Sequence, residues 1–257
     1  MARSETTLNR IGIADLEFIG TGLNRPECLL ATKYGHLCVA DVCGGISIIL
    51  PNGISILADG SFVLAHLGDS DGGVYRLQRD GRVDLFFFEI NCAAIQPTNY
   101  VRCDTMGQTW VIVSTLISPR VKSCRRDNAD GYIILADDKG NRIVAVGLGF
   151  INECVDYPNG KWLYVNATFQ KRLSRFDVSE QGALSNKSKV AELGVGTFLD
   201  GLTFDVEGGV WITRIVSNRV ILITSDGKQI LILEDNGPER VSVADAAYGQ
   251  ASWAAVI

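Results

Sequence analysis

The chain has 257 residues, of which 47% are hydrophobic and 27 are glycine, and its formal net charge at pH 7 is -5. A chain of this size and composition can bury a sizeable core as one domain, 1–257, which excludes an intrinsically disordered protein. The acidic balance excludes the broad basic surface that nucleic acid or an anionic membrane requires. The one basic cluster, residues 122–126, is interpreted as a solvated loop.

The N-terminal residues Met-Ala-Arg-Ser-Glu-Thr-Thr contain no apolar signal region. No apolar run approaches the about 18 residues that a transmembrane helix needs. The seven cysteines form no Cys-x-x-Cys pair and are odd in number, which fits neither a disulfide framework nor a four-thiolate zinc site. We therefore expect a soluble cytoplasmic protein with reduced thiols, a small-molecule partner and no membrane or nucleic-acid partner. The sequence does not indicate an oligomeric state.

Short apolar runs of roughly four to seven residues alternate with Gly, Asp and Asn turns along the whole chain, and no long helical periodicity occurs. This pattern predicts an all-β protein built from repeated units. The units are expected to begin near residues 25, 61, 99, 152, 200 and 241, and Pro51-Asn52-Gly53 is interpreted as a turn that ends the first unit. An insertion from Leu116 to Asn128 separates two strands of the third unit and is interpreted as a lid in preference to a plain surface loop.

A period of about 40 to 50 residues with four short strands in each unit is typical of a β-propeller. We predict a six-bladed β-propeller with four-stranded antiparallel blades. A β-sandwich is the alternative, but the recurring Gly-Gly pairs at 44–45 and 72–73 favour repetition. The segment Val241–Ile257 is long enough for about two strands, so the last blade either takes a strand from Leu16-Glu-Phe-Ile or stays incomplete.

Three oxygen-bearing side chains, those of Glu27, Asn152 and Asp200, recur at equivalent points of the repeated unit. In a propeller these oxygens would converge on the central axis. Carboxylate and amide oxygens suit Ca²⁺, Mg²⁺ or Mn²⁺, and the absence of His among them disfavours a dedicated zinc site. We predict one divalent cation, Ca²⁺ in preference, with Zn²⁺, Mn²⁺ and Mg²⁺ as alternatives. Each residue taken alone also fits a turn cap that binds backbone amides.

Two segments resemble a known family. Phe198-Leu-Asp-Gly-Leu-Thr-Phe-Asp-Val-Glu-Gly-Gly-Val-Trp-Ile-Thr213 and Asn152 to Asn166 are similar to motifs of the senescence marker protein 30, gluconolactonase and luciferin-regenerating enzyme family, and the resemblance extends from about Phe18 to Asp235. The family consists of six-bladed propellers with a divalent cation in the central channel. The resemblance implies that Glu27, Asn152 and Asp200 are metal ligands.

The same resemblance implies a substrate-binding region around Asn99, which lies near both the ion and the substrate in the family's pattern. We assign Asn99 and Tyr100 to substrate binding and include Asn99 in the metal set. Tyr100 replaces the family's aspartate, and Pro97 stands where sugar-lactone members often carry a substrate-binding arginine. The missing arginine weakens the case for an aldonolactone substrate. The apolar neighbours of the predicted ligands favour testing an aliphatic or aryl-substituted lactone beside gluconolactone; they are Cys28, Tyr100, Cys154 and Phe198.

The predicted activity is therefore a divalent-metal-dependent hydrolysis of a small lactone. A metal-activated water would attack the metal-polarised carbonyl, with Asp200 as both ligand and general base and with Asn99 orienting the ester. A non-catalytic binding scaffold is the alternative class, because the propeller fold hosts many functions. A relative of strictosidine synthase is a third reading, against which the Glu, Asn and Asp positions argue. With two histidines and no Gly-x-Ser-x-Gly motif, serine-hydrolase chemistry is excluded.

Overall fold

A computed structural model describes residues 10–16, 26–32, 36–41, 51–215 and 219–234. These residues form twenty strands and two 3-10 helices, Ile13–Asp15 and Arg120–Ser123. The strands are β1 (Pro26–Ala31), β2 (Leu37–Asp41), β3 (Pro51–Ile56), β4 (Phe62–Leu67), β5 (Gly72–Leu77), β6 (Val83–Phe87), β7 (Glu89–Ile90), β8 (Ala93–Ala94), β9 (Thr98–Cys103), β10 (Thr109–Val113), β11 (Gly131–Asp137), β12 (Gly140–Leu148), β13 (Ile151–Asp156), β14 (Trp162–Ala167), β15 (Arg172–Val178), β16 (Leu184–Glu192), β17 (Phe198–Phe204), β18 (Val210–Ile215), β19 (Arg219–Ile223) and β20 (Gln229–Glu234).

The strands form antiparallel sheets in sequence order. Four sheets have four strands each, β3–β6, β9–β12, β13–β16 and β17–β20, and β1 pairs with β2 in a further two-stranded sheet. This propeller-like, all-β arrangement confirms the predicted class and the four-stranded antiparallel blades. The described residues contain four complete blades rather than the six predicted. The predicted sixth unit near residue 241 and most of the predicted closing strand, Leu16 to Ile19, lie outside the described residues.

The second blade begins earlier in the chain than the sequence indicates. Pro51-Asn52-Gly53 opens strand β3 rather than forming a turn, so Ser61 directly precedes the second strand of this blade. Glycine is required here by packing, because a Cβ atom on Gly53 would lie 2.7 Å from the Cα atom of Tyr100 in β9. Pro51 is tolerated because it is the first residue of its strand. The Pro-Asn-Gly signal therefore marks close approach between two neighbouring strands.

The core lies between adjacent blades. The central strands β10 and β11 carry continuous apolar runs, and every residue from Thr109 to Val113 is buried. Strands that are covered on both faces need apolar side chains on both faces, which explains the lack of alternation in these runs. The outer strands β12 and β16 expose most of their residues. Within the described residues, no helix is long and apolar enough to cross a membrane.

Two blades share one turn structure between their first and second strands. Asp104 accepts hydrogen bonds from the backbone N–H of Met106 and of Gln108, both at 2.9 Å, and from Trp110 Nε1, also at 2.9 Å. Asp205 accepts from Gly209 N at 2.6 Å, from Glu207 N at 3.0 Å and from Trp211 Nε1 at 2.9 Å. In each blade one carboxylate satisfies two turn amides and an indole, which fixes the hairpin register.

Candidate functional site

In five of the described sheets, all but the short β7–β8 pair, the first strand contains an irregularity close to its start. The inner strands β1, β3, β9, β13 and β17 neighbour one another in this order. In β1, β3, β13 and β17 two residues lie between successive paired positions where the partner strand has one, and in β9 one residue lies between paired positions whose partners are adjacent in β10. The bulged segments contain Glu27, Asn52, Asn99, Asn152 and Asp200. Because bulges re-aim side chains, a repeated backbone feature positions all five.

All five bulges lie at one end of the blades, where the inner strands begin. Since the strands of a blade are antiparallel, the loops from second to third strands lie at this same end. One of these loops is the insertion between β10 and β11, which includes the 3-10 helix Arg120–Ser123. The insertion is therefore placed beside the bulges, and its role as a lid stays a prediction.

Three of the predicted site residues contact one another directly. Asn99 Nδ2 donates to the backbone oxygen of Asn152 at 2.9 Å and to its Oδ1 at 3.1 Å. Asn152 Nδ2 then donates to Oδ1 of Asp200 at 2.9 Å. The series extends backwards, since Asn52 Nδ2 donates to the backbone oxygen of Asn99 at 2.7 Å. Side chains from four successive blades thus form one hydrogen-bonded row, which we call the amide row: Asn52, Asn99, Asn152 and Asp200.

The backbone around Asn152 and Asp200 is fixed by residues on the second strands. Asn166, fully buried on β14, accepts hydrogen bonds from Asn152 N at 3.3 Å and Glu153 N at 2.8 Å. Its Nδ2 donates to the backbone oxygen of Asp200. Gly201 N donates to Thr213 Oγ1 at 2.7 Å. The amides exposed by the bulges are therefore satisfied by side chains, which holds the bulge conformations in place.

The remaining predicted residues are placed as follows. Glu27 lies at the bulge of β1, but its side chain is outside the described part of the structure. Tyr100 is buried among core side chains, and burial, reinforced by Glu153 and Cys28, raises the pKa of its phenol well above the usual value. Its role in substrate binding stays a prediction. Burial likewise raises the pKa of the Cys154 thiol well above its usual range, so this side chain lines the core as a neutral thiol.

Two site residues escaped the sequence analysis. Asn52 was missed because it lies in a segment that was interpreted as a turn. The signal that could have found it is that Pro51-Asn52 opens β3 as Pro26-Glu27 opens β1, each with a proline followed by an oxygen-bearing side chain. Arg120 belongs to the insertion, and its Nη2 donates to Oδ1 of Asn99 at 2.6 Å and to Ser114 Oγ at 3.2 Å. Its position depends on the path of the loop, for which the sequence carried no signal.

An aromatic group borders the same end of the blades. The ring centroids of Phe150 and Phe169 are 5.0 Å apart, and those of Phe169 and Phe198 are 5.6 Å apart. Arg120 lies 5.2 Å from the Phe150 centroid and Lys171 lies 5.7 Å from the Phe198 centroid. The predicted apolar character near Phe198 is therefore accompanied by two cationic side chains.

The side-chain oxygens of the amide row are suitable ligands for a hard cation, which prefers oxygen ligands to nitrogen or sulfur. Within the described residues, no group of three or more His, Cys, Asp or Glu side chains is placed to hold a metal ion. However, Ca²⁺ also accepts amide oxygens, and Asp200 and Asn152 present one carboxylate and one amide in contact. Asn152 turns its nitrogen towards Asp200, so joint coordination would require its amide group to rotate. Glu27 stands at the equivalent position of β1.

A family model described as the SMP-30/gluconolactonase/LRE-like region matches residues 46–242. This chain belongs to that family. The matched region includes all four members of the amide row, whereas Glu27 precedes it. No curated protein sequence matches this chain.

Several solved structures share the fold. A gluconolactonase from Xanthomonas campestris is similar with a TM-score of 0.62 at 19% identity, covering 81% of this chain and 69% of that one. The calcium-binding protein regucalcin from Agrobacterium tumefaciens gives 0.64 at 17% identity, covering 84% and 76%. A luciferin-regenerating enzyme gives 0.62 at 16% identity, covering 85% and 78%. At these identities the similarity shows the fold alone.

Proposed function

We propose that this protein is a divalent-metal-dependent lactonase whose active site is the bulged end of the inner strands. The observation that carries the proposal is the direct contact of Asn99, Asn152 and Asp200 in a member of the SMP-30/gluconolactonase family. Gluconolactonase and the calcium-binding regucalcin among the structural neighbours favour this activity and Ca²⁺ as the ion. Zn²⁺, Mn²⁺ and Mg²⁺ are the alternatives.

The residues of the proposed active site would have separate roles in the reaction. Asp200, Asn152 and Glu27 would hold the ion, and Asn99 would orient the ester. A divalent cation, when bound, supplies positive charge that polarises a carbonyl and makes water more acidic. Asp200 would accept the proton of the attacking water, whose oxygen joins the acyl carbon as the bond to the ring oxygen breaks. The ring oxygen then takes up a proton and leaves as the new hydroxyl group.

The aromatic group at the rim shapes our substrate proposal. The side chains of Phe150, Phe169 and Phe198 would exclude water from one side of a bound lactone ring. A small lactone with an apolar portion would therefore bind better than the lactone of a fully hydroxylated sugar. Tyr100, which is buried in the core next to Asn99, would hold this part of the substrate-binding region in place.

The finer architecture is part of the same proposal. We propose a six-bladed ring in which β1 and β2 begin a further blade. Among the described residues, Cys38, Cys92, Cys103, Cys124 and Cys154 form no disulfide, which supports a reducing compartment such as the cytoplasm.

A metal-depletion experiment tests the proposed function. Protein treated with EDTA would be refilled with Ca²⁺, Mn²⁺, Mg²⁺ or Zn²⁺, and hydrolysis of a lactone panel would be measured together with ion binding by calorimetry. We expect one ion to bind and restore turnover, and we expect Asp200→Asn and Glu27→Gln to lose both. Asp138→Asn, a change at an exposed residue, is the matched control. If the depleted protein binds no ion and hydrolyses no lactone, the oxygens are structural and a binding scaffold is the better description.

A further inference from the structure

We propose that Asn166 is a positioning residue that fixes the spacing of Asn152 and Asp200 and thereby determines which divalent ion the site prefers. The inference rests on the proposed function, in which Asn152 and Asp200 hold the ion. It assigns part of the choice of ion to a residue of a second strand, β14, rather than to the ligands alone.

Asn166 occupies the position of β14 that lies opposite the bulge of β13. The strand pairing passes over this bulge from Ala167 to Val165, so Asn152 and Glu153 together lie opposite Asn166. The residue is fully buried, and its Oδ1 accepts hydrogen bonds from Asn152 N at 3.3 Å and from Glu153 N at 2.8 Å. One side chain thus holds the backbone that presents the first ligand.

The same side chain also reaches the neighbouring blade. Asn166 Nδ2 donates to the backbone oxygen of Asp200, which lies in the bulge of β17. The oxygen and the nitrogen of the asparagine belong to one amide group, so both bulges are bonded to a single rigid unit. The spacing between the backbones that carry Asn152 and Asp200 therefore depends on Asn166.

The bulges do not themselves require an asparagine at this register position. Ala40 lies opposite the bulge of β1 and Ala65 lies opposite the bulge of β3, and both alanines are buried. Thr213 lies opposite the bulge of β17 and accepts a hydrogen bond from Gly201 N at 2.7 Å. Because a bulge forms opposite alanine elsewhere in the same protein, the property that Asn166 adds is the link between two blades.

The preference for one ion over another depends on how firmly the ligands are spaced. Ca²⁺ accepts about six to eight oxygen ligands in a flexible geometry, whereas Mg²⁺ requires a near-ideal octahedron at shorter distances. Replacing a residue that orients metal ligands typically changes metal affinity by about 10- to 100-fold. Loss of the Asn166 link should therefore weaken the binding of both ions, and that of Mg²⁺ more.

Calorimetric titrations with Ca²⁺ and with Mg²⁺ test the inference. Asn166→Ala should weaken Ca²⁺ binding by about 10- to 100-fold and Mg²⁺ binding by about tenfold more, which changes the ratio of the two dissociation constants. Partial unfolding alone reduces both apparent affinities by the same factor and leaves this ratio unchanged. The ratio consequently distinguishes a positioning role from a general loss of stability.

Thr168→Val is the matched control. Thr168 is buried, and its Oγ1 donates to the backbone oxygen of Leu199 at 2.8 Å, so this bond joins the same two blades next to Asp200. Thr168 follows the end of β14 and does not lie opposite the bulge of β13. Thr168→Val should lower stability and leave the ratio of the dissociation constants unchanged. A change in this ratio as large as that in Asn166→Ala would overturn the inference.

Hydrogen exchange in the ion-free protein separates this inference from the proposed function. Asn166→Ala should accelerate exchange at the amides of Asn152 and Glu153 in β13. It should also accelerate exchange at the amide of Leu202 in β17, which donates to Glu153 Oε2 at 2.7 Å and so depends on the spacing of the two blades.

The outcomes distinguish the two proposals. If the wild-type protein binds an ion, an unchanged ratio in Asn166→Ala overturns the inference and leaves the lactonase proposal standing. If the wild-type protein binds no ion, the lactonase proposal fails and the exchange measurement decides the inference. Faster exchange in both strands then supports the positioning role, whereas exchange that is unchanged, or faster in β13 alone, overturns it.

Discussion

Asn152 donates a hydrogen bond from Nδ2 to Oδ1 of Asp200 over 2.9 Å. Its own Oδ1 accepts from Asn99 at 3.1 Å, so one amide group connects the predicted substrate residue with the predicted base. Both bonds require Asn152 to keep the side-chain direction that its bulge gives it. The bulge is in turn held by Asn166, which ties the site to the second strand of the blade.

An Asn152→Asp variant tests whether this side chain faces the ion. A second carboxylate beside Asp200 adds like-charge repulsion without a cation, and a bound divalent cation relieves it. We expect a lower Tm than wild type in EDTA and a larger rise of Tm on adding Ca²⁺, measured by calorimetry. Asn141→Asp, at an exposed position of β12, is the control. An increase of Tm with Ca²⁺ that equals the wild-type increase would show that Asn152 is not a ligand.

Asn52 should contribute to the site although it was not predicted. An Asn52→Ala change removes the hydrogen bond to the backbone oxygen of Asn99, which we expect to cost about 1 kcal/mol of folding free energy. Because Asn99 is then less firmly held, kcat/KM for any lactone substrate should fall more than stability alone explains. Urea unfolding and steady-state kinetics measure the two effects. Unchanged kinetics in a destabilised variant would limit Asn52 to a structural role.

The sequence predicted part of this site because the repeat places equivalent residues at equivalent backbone positions. Asn152 and Asp200 lie in similar surrounding segments, and both prove to lie in bulges of inner strands. Asn52 was missed because Pro-Asn-Gly is a strong turn signal, while the close approach that demands Gly53 is a long-range property. Arg120 could not be predicted, since its contact with Asn99 depends on how a long insertion folds back.

Gly53 offers a direct test of that long-range requirement. A Cβ atom added there would lie 2.7 Å from both Tyr100 Cα and Val101 N, which are backbone atoms that cannot rotate away. We expect Gly53→Ala to destabilise the fold by about 1 to 3 kcal/mol in urea unfolding. Gly81→Ala, where no atom lies within 4 Å of the added Cβ but φ is +87°, isolates the cost of backbone strain alone. A smaller loss at Gly53 than at Gly81 would contradict the packing explanation.

Asp137 should determine part of the acid stability. Its carboxylate accepts two hydrogen bonds from Arg142, at 2.8 and 2.7 Å, and this partner lowers its pKa from the ordinary 3.8 to about 2. Because the folded pKa is the lower one, the stabilisation is complete above the ordinary pKa and is lost as pH falls from about 4 to about 2. Asp137→Asn should therefore reduce stability at neutral pH and flatten its dependence on pH in this window. The control is Asp138→Asn, and an acid transition as steep as that of wild type in Asp137→Asn would refute the prediction.

The turn carboxylate Asp205 should stabilise the last described blade through its indole partner. Asp205→Ala leaves the N–H groups of Glu207, Gly209 and Trp211 without their acceptor, and we expect a loss of about 2 kcal/mol because two of these bonds are from backbone amides to a charged group. Glu207→Ala, in the same turn and exposed, should change stability little.

A double-mutant cycle with Trp211→Phe isolates the indole bond. Because the bond requires both partners, Trp211→Phe should cost less in the Asp205→Ala background than in the wild type, by about 1 kcal/mol in urea unfolding. Additive losses would mean that Asp205 acts only on the turn backbone. The same cycle at Asp104 and Trp110 should give a similar coupling energy, since the two turns use the same three kinds of donor, although Trp110→Phe also leaves a cavity because Trp110 is 1% exposed.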